Sequence, residues 1–214
     1  MLKILMDRNN NDFDSRARFW DSNPVHQERS GAIAAKMLEM IPVHGRMRVL
    51  EYGAGTAILG GLLAPYFKEI VLMDSSKEMV EVMKEKISAN SIENLIPVVG
   101  NLEKEEYHGG QFDLIYSQMV FHHISDISFL LGKLYSLVNP GGYIAIADLY
   151  KEDGSFHGEG FSGHNGFDVD QLMSMLEFAN FKHVKAETCF IMKKIIDGQT
   201  REYPLFLLIG RKDL

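Results

Sequence analysis

The stretch Val49-Leu50-Glu51-Tyr52-Gly53-Ala54-Gly55-Thr56-Ala57 decides the fold. An apolar run ends in an acid and enters a turn with two glycines, after which Leu59, Leu62 and Leu63 continue at helical spacing. Such a turn lets the backbone pass close to a bound ligand, because glycine has no Cβ to clash with it. Taken alone, the motif fits an ordinary tight turn between a strand and a helix equally well.

The pattern of a strand followed by a helix repeats after this turn. Residues 70–74 predict a second strand, and residues 76–90 predict the helix behind it. Strands alternating with helices indicate a parallel sheet covered on both faces, with a ligand outside the carboxyl ends of the strands. The remaining predicted elements are strands 96–99, 112–116 and 143–147, a helix over 127–138, a turn at 139–142, a helix over 168–178 and a terminal hairpin of strands 182–191 and 203–209.

The segment before the glycine turn predicts a helical extension. Ile33, Met37 and Ile41 have helical spacing, with Pro24 near the start of this helix over residues 19–41 and Pro42 just past its end. We therefore expect an extension over residues 1–44 that packs on the core, and a cofactor-binding domain over residues 45–214. Residues 150–167 show no periodicity and predict a loop or lid.

Asp74 ends the second predicted strand and points to a ribose site. In dinucleotide-binding folds, a carboxylate at this place accepts hydrogen bonds from a ribose diol. The third glycine of the dinucleotide fingerprint is missing, since Ala57 and Ile58 occupy that region. A helix-capping role ahead of Ser75-Ser76 is the alternative for this acid.

Taken in order, these motifs resemble those of class I S-adenosylmethionine (SAM)-dependent methyltransferases. The resemblance covers most of residues 46–148 and is nearest to the small-molecule branch related to ubiquinone and menaquinone biosynthesis. It implies a Rossmann-like three-layer α/β sandwich, in which a seven-stranded, mostly parallel sheet has its last strand antiparallel. The matching motifs are Glu51-Tyr52-Gly53-Ala54-Gly55, Asp74, Asn101-Leu102, Phe112-Asp113-Leu114-Ile115 and Asn139-Pro140-Gly141-Gly142.

The resemblance also implies a site for S-adenosyl-L-methionine. The glycine turn would pack against the methionine part with Glu51 near its amino end, Asp74 would bind the ribose, and Met73 or Ser75 would flank the adenine. Asn101 stands where the family usually has Asp, and its amide oxygen can still accept a hydrogen bond from the adenine amine. The predicted cofactor-binding residues are Glu51, Gly53, Ala54, Gly55, Asp74, Ser75, Met79, Asn101, Leu102, Ser117 and Gln118.

Histidines follow the fourth predicted strand, where methyl donor and acceptor should meet. An imidazole can take a proton from a hydroxyl or an amine at neutral pH, so His122, His123 and, from the glycine-containing loop, His164 are the predicted catalytic residues. Purely structural hydrogen bonds are the alternative for each. Their spacing to Asp148 and Asp153 matches no zinc motif, and we predict no metal site.

The composition of the chain limits the kinds of molecule that we expect it to bind. The chain has 214 residues, 22 Lys and Arg against 29 Asp and Glu, and a net charge of −7, which disfavours nucleic-acid binding. Ser117-Gln118-Met119-Val120 also differs from the Asp/Asn-Pro-Pro-aromatic motif common in methylation of base amino groups. The single Cys189 and the absence of an apolar run of about 20 residues fit a cytoplasmic protein without a membrane partner. We expect a small-molecule substrate and a monomer or homodimer.

Two other functions stay open at this point. An NAD(P)-dependent oxidoreductase also uses a glycine turn and an acid after the second strand, although the missing third glycine, the absence of a Tyr-x-x-x-Lys pair and the terminal hairpin disfavour it. A non-catalytic SAM-binding module would carry the same binding residues as an enzyme, and only an activity assay separates the two.

Overall fold

The computed structural model describes residues 13–214, which form a seven-stranded sheet of order β3-β2-β1-β4-β5-β7-β6. Neighbouring strands are parallel from β3 to β5, whereas β7 runs antiparallel to both β5 and β6. This confirms the predicted sheet with its antiparallel last strand. The strands are β1 (Arg48–Tyr52), β2 (Glu69–Asp74), β3 (Leu95–Val99), β4 (Phe112–Gln118), β5 (Val138–Leu149), β6 (Lys182–Ile196) and β7 (Gln199–Arg211).

Five α-helices from Pro24 onward cover the two faces of the sheet. Side chains cap most of them: Asn23 accepts from the backbone N–H of Val25, Ser76 from that of Met79 and Asp126 from that of Phe129. The helices are α1 (Pro24–Met40), α2 (Ile58–Leu63), α3 (Lys77–Ala89), α4 (Ile127–Leu137) and α5 (Val169–Phe178).

Apolar side chains fill the space on each side of the sheet. One cluster joins α1, α2 and α3 to one face of the strands, and a second joins α4 and α5 to the other. Along β1 the side chains alternate, so that Val49 belongs to the first cluster and Leu50 to the second. The result is the three-layer sandwich predicted from the sequence.

The predicted helix over residues 19–41 is in fact broken. A 3-10 helix at Ala17–Ser22 precedes Asn23, and α1 begins only at Pro24. Asn23 is extended and caps α1, while Pro24 has no N–H and fits the first helical position. Residues 1–12 of the predicted extension lie outside the described residues, and its boundary near residue 44 stays a prediction.

The boundaries of β5, β6 and β7 also differ from the prediction. The turn predicted at residues 139–142 lies inside β5, where the register with β4 shifts and Gly141 has φ +78°. The terminal strands extend to a tight turn at Asp197-Gly198, where both residues have positive φ. None of the helices within residues 13–214 is long and apolar enough to cross a membrane.

Candidate cofactor and acceptor site

The glycine turn follows β1 at the carboxyl edge of the sheet. The N–H groups of Gly53 and Ala54 both donate to the carbonyl of Met73 in β2, at 2.8 and 3.0 Å. Gly53 has φ +75°, and a Cβ there would lie 2.3 Å from Cγ2 of Val120. This position therefore requires glycine on two grounds, conformation and space.

Asp74 is anchored to the same turn. Its Oδ2 accepts from the N–H of Gly55 at 2.8 Å, and its Oδ1 accepts from the N–H of Ser76 at 2.9 Å. Burial raises the pKa of the Asp74 carboxyl to about 6, against the effect of these N–H donors. The structure thus brings together Asp74, the carboxylate predicted to bind ribose, the glycine turn and the neighbouring Ser75.

Glu51 lies below the turn and is 2% exposed. The phenol of Tyr116, its register partner on β4, donates to Glu51 Oε2 at 3.0 Å. Burial raises the pKa of Glu51 to about 8, and the bonds from Tyr116 and the Gly60 N–H lower it only in part. Tyr116 was not among the predicted site residues, because its pairing depends on the order of the strands.

Asn101, the residue predicted to bind adenine, follows β3. Asn101 Oδ1 accepts from the N–H of Glu103 at 2.8 Å, so its amide oxygen caps the local turn. Leu102 and Met79 are buried, at 1% and 2% exposure. A contact of Asn101 with adenine, and of Leu102 and Met79 with the cofactor, stays a prediction.

Unpaired polar atoms mark the carboxyl end of β4. Ser117 Oγ and Gln118 Oε1 are buried without a hydrogen-bond partner among the described residues. The amide nitrogen of Gln118 donates to Ser30 Oγ of α1 at 3.0 Å. Buried polar atoms are rarely left unsatisfied, so these atoms are candidates for ligand contacts.

His122 forms a buried pair with Asp148 at the end of β5. Its Nδ1 donates to Asp148 Oδ1 at 2.7 Å, and its backbone N–H donates to Oδ2 at 3.2 Å. The side chains are 2% and 0% exposed. Since the carboxylate accepts a hydrogen bond from the protonated Nδ1, Nε2 carries the lone pair, and within residues 13–214 no hydrogen bond to Nε2 is found.

His123 and His157 lie beside this pair. The ring centroid of His122 is 4.2 Å from that of His123 and 4.9 Å from that of His157, which stacks on Phe161 at 3.8 Å. Burial, followed by the proximity of His122, lowers the pKa of His123 to about 3 and that of His157 to about 4. Both rings are therefore neutral at neutral pH and weak bases.

His164 holds the loop after β5 in place. Its Nε2 donates to the carbonyl of Ile124 at 3.0 Å, and its backbone N–H donates to the carbonyl of His122 at 2.7 Å. The residue is exposed. Within residues 13–214, no three His, Cys, Asp or Glu side chains are grouped so that they could hold a metal ion.

A segment before α1, residues 13–22, lies across the glycine turn. Ser76 Oγ donates to Asp14 at 2.5 Å, Thr56 Oγ1 donates to Asp21, and Lys86 Nζ lies 2.6 Å from Asp21. The ring of Phe13 meets His123 edge-on at 5.4 Å. The segment therefore contacts both the glycine turn with its neighbour Ser76 and the ring of His123.

The sheet order and the hydrogen bond between Asp74 and the glycine turn define a Rossmann-like α/β domain. The chain belongs to the family described as methyltransferase domain, which matches residues 25–187. This membership confirms the class I SAM-dependent methyltransferase predicted from the motifs, with S-adenosyl-L-methionine as its cofactor. The narrower quinone-biosynthesis branch stays a prediction.

Individual relatives agree with the family. An uncharacterized methyltransferase of Schizosaccharomyces pombe is 30% identical over 155 residues, covering 65% of this chain and 55% of the relative. Malonyl-[acyl-carrier protein] O-methyltransferase 1 of Ilyobacter polytropus is 33% identical over 146 residues, covering 65% and 51%. The chain thus spans about half the length of the curated relatives it matches.

A solved structure shows the same fold. Phosphoethanolamine N-methyltransferase 2 of Haemonchus contortus, in complex with S-adenosyl-L-methionine, superposes with a TM-score of 0.69 at 16% identity. The match covers 86% of this chain and 52% of that protein.

Proposed function

We propose that the chain transfers the methyl group of S-adenosyl-L-methionine to a hydroxyl oxygen of a small-molecule acceptor, with His122 taking the hydroxyl proton. The observation that carries the proposal is the buried 2.7 Å hydrogen bond between His122 Nδ1 and Asp148 Oδ1. A carboxylate that holds one ring nitrogen protonated leaves the other as a base, and it stabilises the imidazolium once the proton has been taken.

The cofactor would be held at the carboxyl ends of β1, β2 and β4. Asp74 has the charge and place to accept hydrogen bonds from ribose hydroxyls, while the glycine turn lets the backbone approach the methionine part. When bound, the cofactor supplies an activated methyl group on a sulfonium sulfur. The buried and unpaired Ser117 Oγ and Gln118 Oε1 would face this region.

Alignment and proton removal are then the tasks of the protein. Holding reactants in line can contribute roughly 7–11 kcal/mol of a barrier, and a positioned base typically contributes about 10²–10⁴-fold. We assign the base to His122 and not to His123, because the lowered pKa of His123 makes it a weak proton acceptor. His164 has no part in the proposed proton transfer, since its Nε2 is engaged with Ile124.

The net charge of the chain and the name of a relative support a small-molecule acceptor that is methylated on oxygen. A net charge of −7 disfavours a phosphate backbone as substrate, and the Ilyobacter polytropus relative is named an O-methyltransferase.

A cytoplasmic location, a monomeric or homodimeric state, an extension over residues 1–44 and a domain over residues 45–214 are further predictions. Family membership disfavours the oxidoreductase alternative.

A radiolabel assay tests the proposal. Purified protein is incubated with S-adenosyl-L-methionine labelled in its methyl group and a panel of hydroxy acids, phenols, carboxylic acids and amines. We expect label transfer to an oxygen acceptor, and its loss in His122→Asn, which retains binding of S-adenosylhomocysteine. Transfer only to nitrogen, or only to a carboxylate, which has no proton to lose at neutral pH, would contradict the assignment of a hydroxyl acceptor. Binding of S-adenosylhomocysteine without transfer to any compound of the panel would favour the non-catalytic module.

A further inference from the structure

Arg29 on α1 is a buried cation, with only 6% of its surface exposed. It lies on the helix face that also buries Ser30 and Ile33 against the core. Arginine is almost never fully buried unless it is paired, because removing its charge from water is costly. A buried guanidinium at this position therefore needs a counter-charge.

The described residues do not supply that counter-charge by contact. Arg29 Nε is buried without a hydrogen-bond partner among residues 13–214, and no ion pair of these residues involves its guanidinium. Burial lowers the pKa of Arg29 to about 10, so the group is still charged at neutral pH, and Asp148 opposes this effect only from a distance. Asp148 is already occupied by N–H donors of His122 and Leu149.

Arg29 lies near the carboxyl ends of β4 and β5, where the proposed active site is. The adjacent Ser30 accepts from the side chain of Gln118 at the carboxyl end of β4, and Asp148 at the end of β5 acts electrostatically on the guanidinium. The unpaired Gln118 Oε1 and Ser117 Oγ end the same strand. Arg29 thus lies at the edge of the sheet where cofactor and acceptor are expected to meet.

We propose that Arg29 binds a carboxylate of a ligand held at this edge of the sheet. The planar fork of N–H donors in a guanidinium matches a carboxylate in two parallel hydrogen bonds. The inference rests on the proposed function, and within it two ligands carry such a group: the methionyl part of the cofactor and an acceptor that has a carboxylate beside its hydroxyl. In both cases the ligand supplies the missing counter-charge.

Calorimetric titration distinguishes these two sources. Wild type and Arg29→Met are titrated with S-adenosylhomocysteine, with 5′-methylthioadenosine, which lacks the amino-acid carboxylate, and with malonate in the presence of saturating S-adenosylhomocysteine. Arg46→Met is the matched control, since Arg46 is exposed and lies before β1, at the opposite edge of the sheet. Arg29→Lys, which keeps the charge without the fork, is a second variant in case Arg29→Met does not fold.

We expect Arg29→Met to lose at least about tenfold in affinity for one carboxylate ligand, the size of one lost charged hydrogen bond, and to bind 5′-methylthioadenosine within twofold of wild type. Loss with S-adenosylhomocysteine identifies the cofactor carboxylate; loss confined to malonate identifies the acceptor carboxylate. Arg29→Lys should show a smaller loss of the same kind. Unchanged affinity of the folded Arg29 variants for both carboxylates would overturn the inference. If wild type binds neither adenosine compound, the proposed function fails instead.

Discussion

The imidazole of His122 and the carboxylate of Asp148 meet at 2.7 Å although 26 residues separate them in the chain. They meet because β4 and β5 are adjacent and parallel, so that a short helical turn after β4 and the end of β5 lie at one edge of the sheet. The same edge carries the glycine turn and Asp74, which places the proposed base beside the proposed cofactor site.

Removing the base should slow the chemical step without weakening cofactor binding. We expect His122→Asn to lower kcat by about 10²–10⁴-fold, the usual range for a general base, and Asp148→Asn to lower it also, because the ring loses its orienting acceptor. Affinity for S-adenosylhomocysteine, measured by calorimetry, should stay within a few-fold. Wild-type kcat in His122→Asn would refute its role as a base.

Asp74 should control cofactor affinity. We expect Asp74→Asn to raise the Kd of S-adenosylhomocysteine by about 10-fold or more, since hydrogen bonds to a charged group are among the strong ones. Because the pKa of Asp74 is raised to about 6, affinity of the wild type should also fall between pH 7 and pH 5 as the carboxyl takes up a proton. Asp213→Asn, at an exposed position, is the control, and equal pH dependence in Asp74→Asn and wild type would contradict the assignment.

Glu51 should make the protein less stable as pH rises. Its folded pKa of about 8 lies above the ordinary value of 4.5, so between these values the folded state binds more protons than the unfolded state. The free energy of unfolding then falls with pH, by at most about 1.4 kcal/mol per unit. Urea unfolding at pH 5 and pH 8 should show a smaller decline for Glu51→Gln than for wild type; parallel declines would count against a buried, proton-binding Glu51.

Gly53→Ala separates conformational strain from lack of space. The added Cβ would meet Val120 at 2.3 Å and would stand on a backbone with φ +75°, and we expect a loss of roughly 2–4 kcal/mol in the free energy of unfolding. The double variant Gly53→Ala with Val120→Ala should recover the steric part only. Gly61→Ala, where no atom lies within 4 Å of the added Cβ, is the control. A fully stable Gly53→Ala protein would show that the turn adopts another conformation.

Trp20 should report cofactor binding by fluorescence. It is the only tryptophan of the chain, and its indole nitrogen lies 3.8 Å from the place of a Cβ on Gly55. A ligand that packs on the glycine turn must contact or displace the segment at residues 13–22, so S-adenosylhomocysteine should change the intensity or wavelength of the emission. An unchanged spectrum at saturating ligand would place the ligand away from this segment.

The sequence predicted the sheet, and the closeness of the glycine turn to Asp74, well because their signals are local. Each βα unit has its own periodicity, and Gly53, Gly55 and Asp74 belong to two consecutive units whose strands pair directly. The broken helix before α1 was missed because apolar spacing alone does not show that Asn23 caps a new helix.

The acceptor side depends on tertiary pairing and was predicted only in part. The sequence predicted His122 as a catalytic residue. That Asp148, and not another acidic residue, is its hydrogen-bond partner follows from the adjacency of β4 and β5. Arg29 was not predicted, since one arginine on an amphipathic helix is normally exposed, and its burial is what distinguishes it. A charged residue in line with the apolar positions of a helix, as Arg29 is with Ile33 and Met37, is the sequence signal that could have found it.

Cofactor binding is the most direct test of the central claim that this fold holds S-adenosyl-L-methionine. Thermal unfolding is measured with S-adenosyl-L-methionine, S-adenosylhomocysteine, NAD and NADP in parallel. A ligand at about 100 times its Kd stabilises a protein by about 2.7 kcal/mol, which corresponds to roughly 5–10 °C for a chain of this size. We predict that shift with the first two compounds and none with the nicotinamides. A shift with NAD or NADP and none with S-adenosyl-L-methionine or S-adenosylhomocysteine would contradict the account.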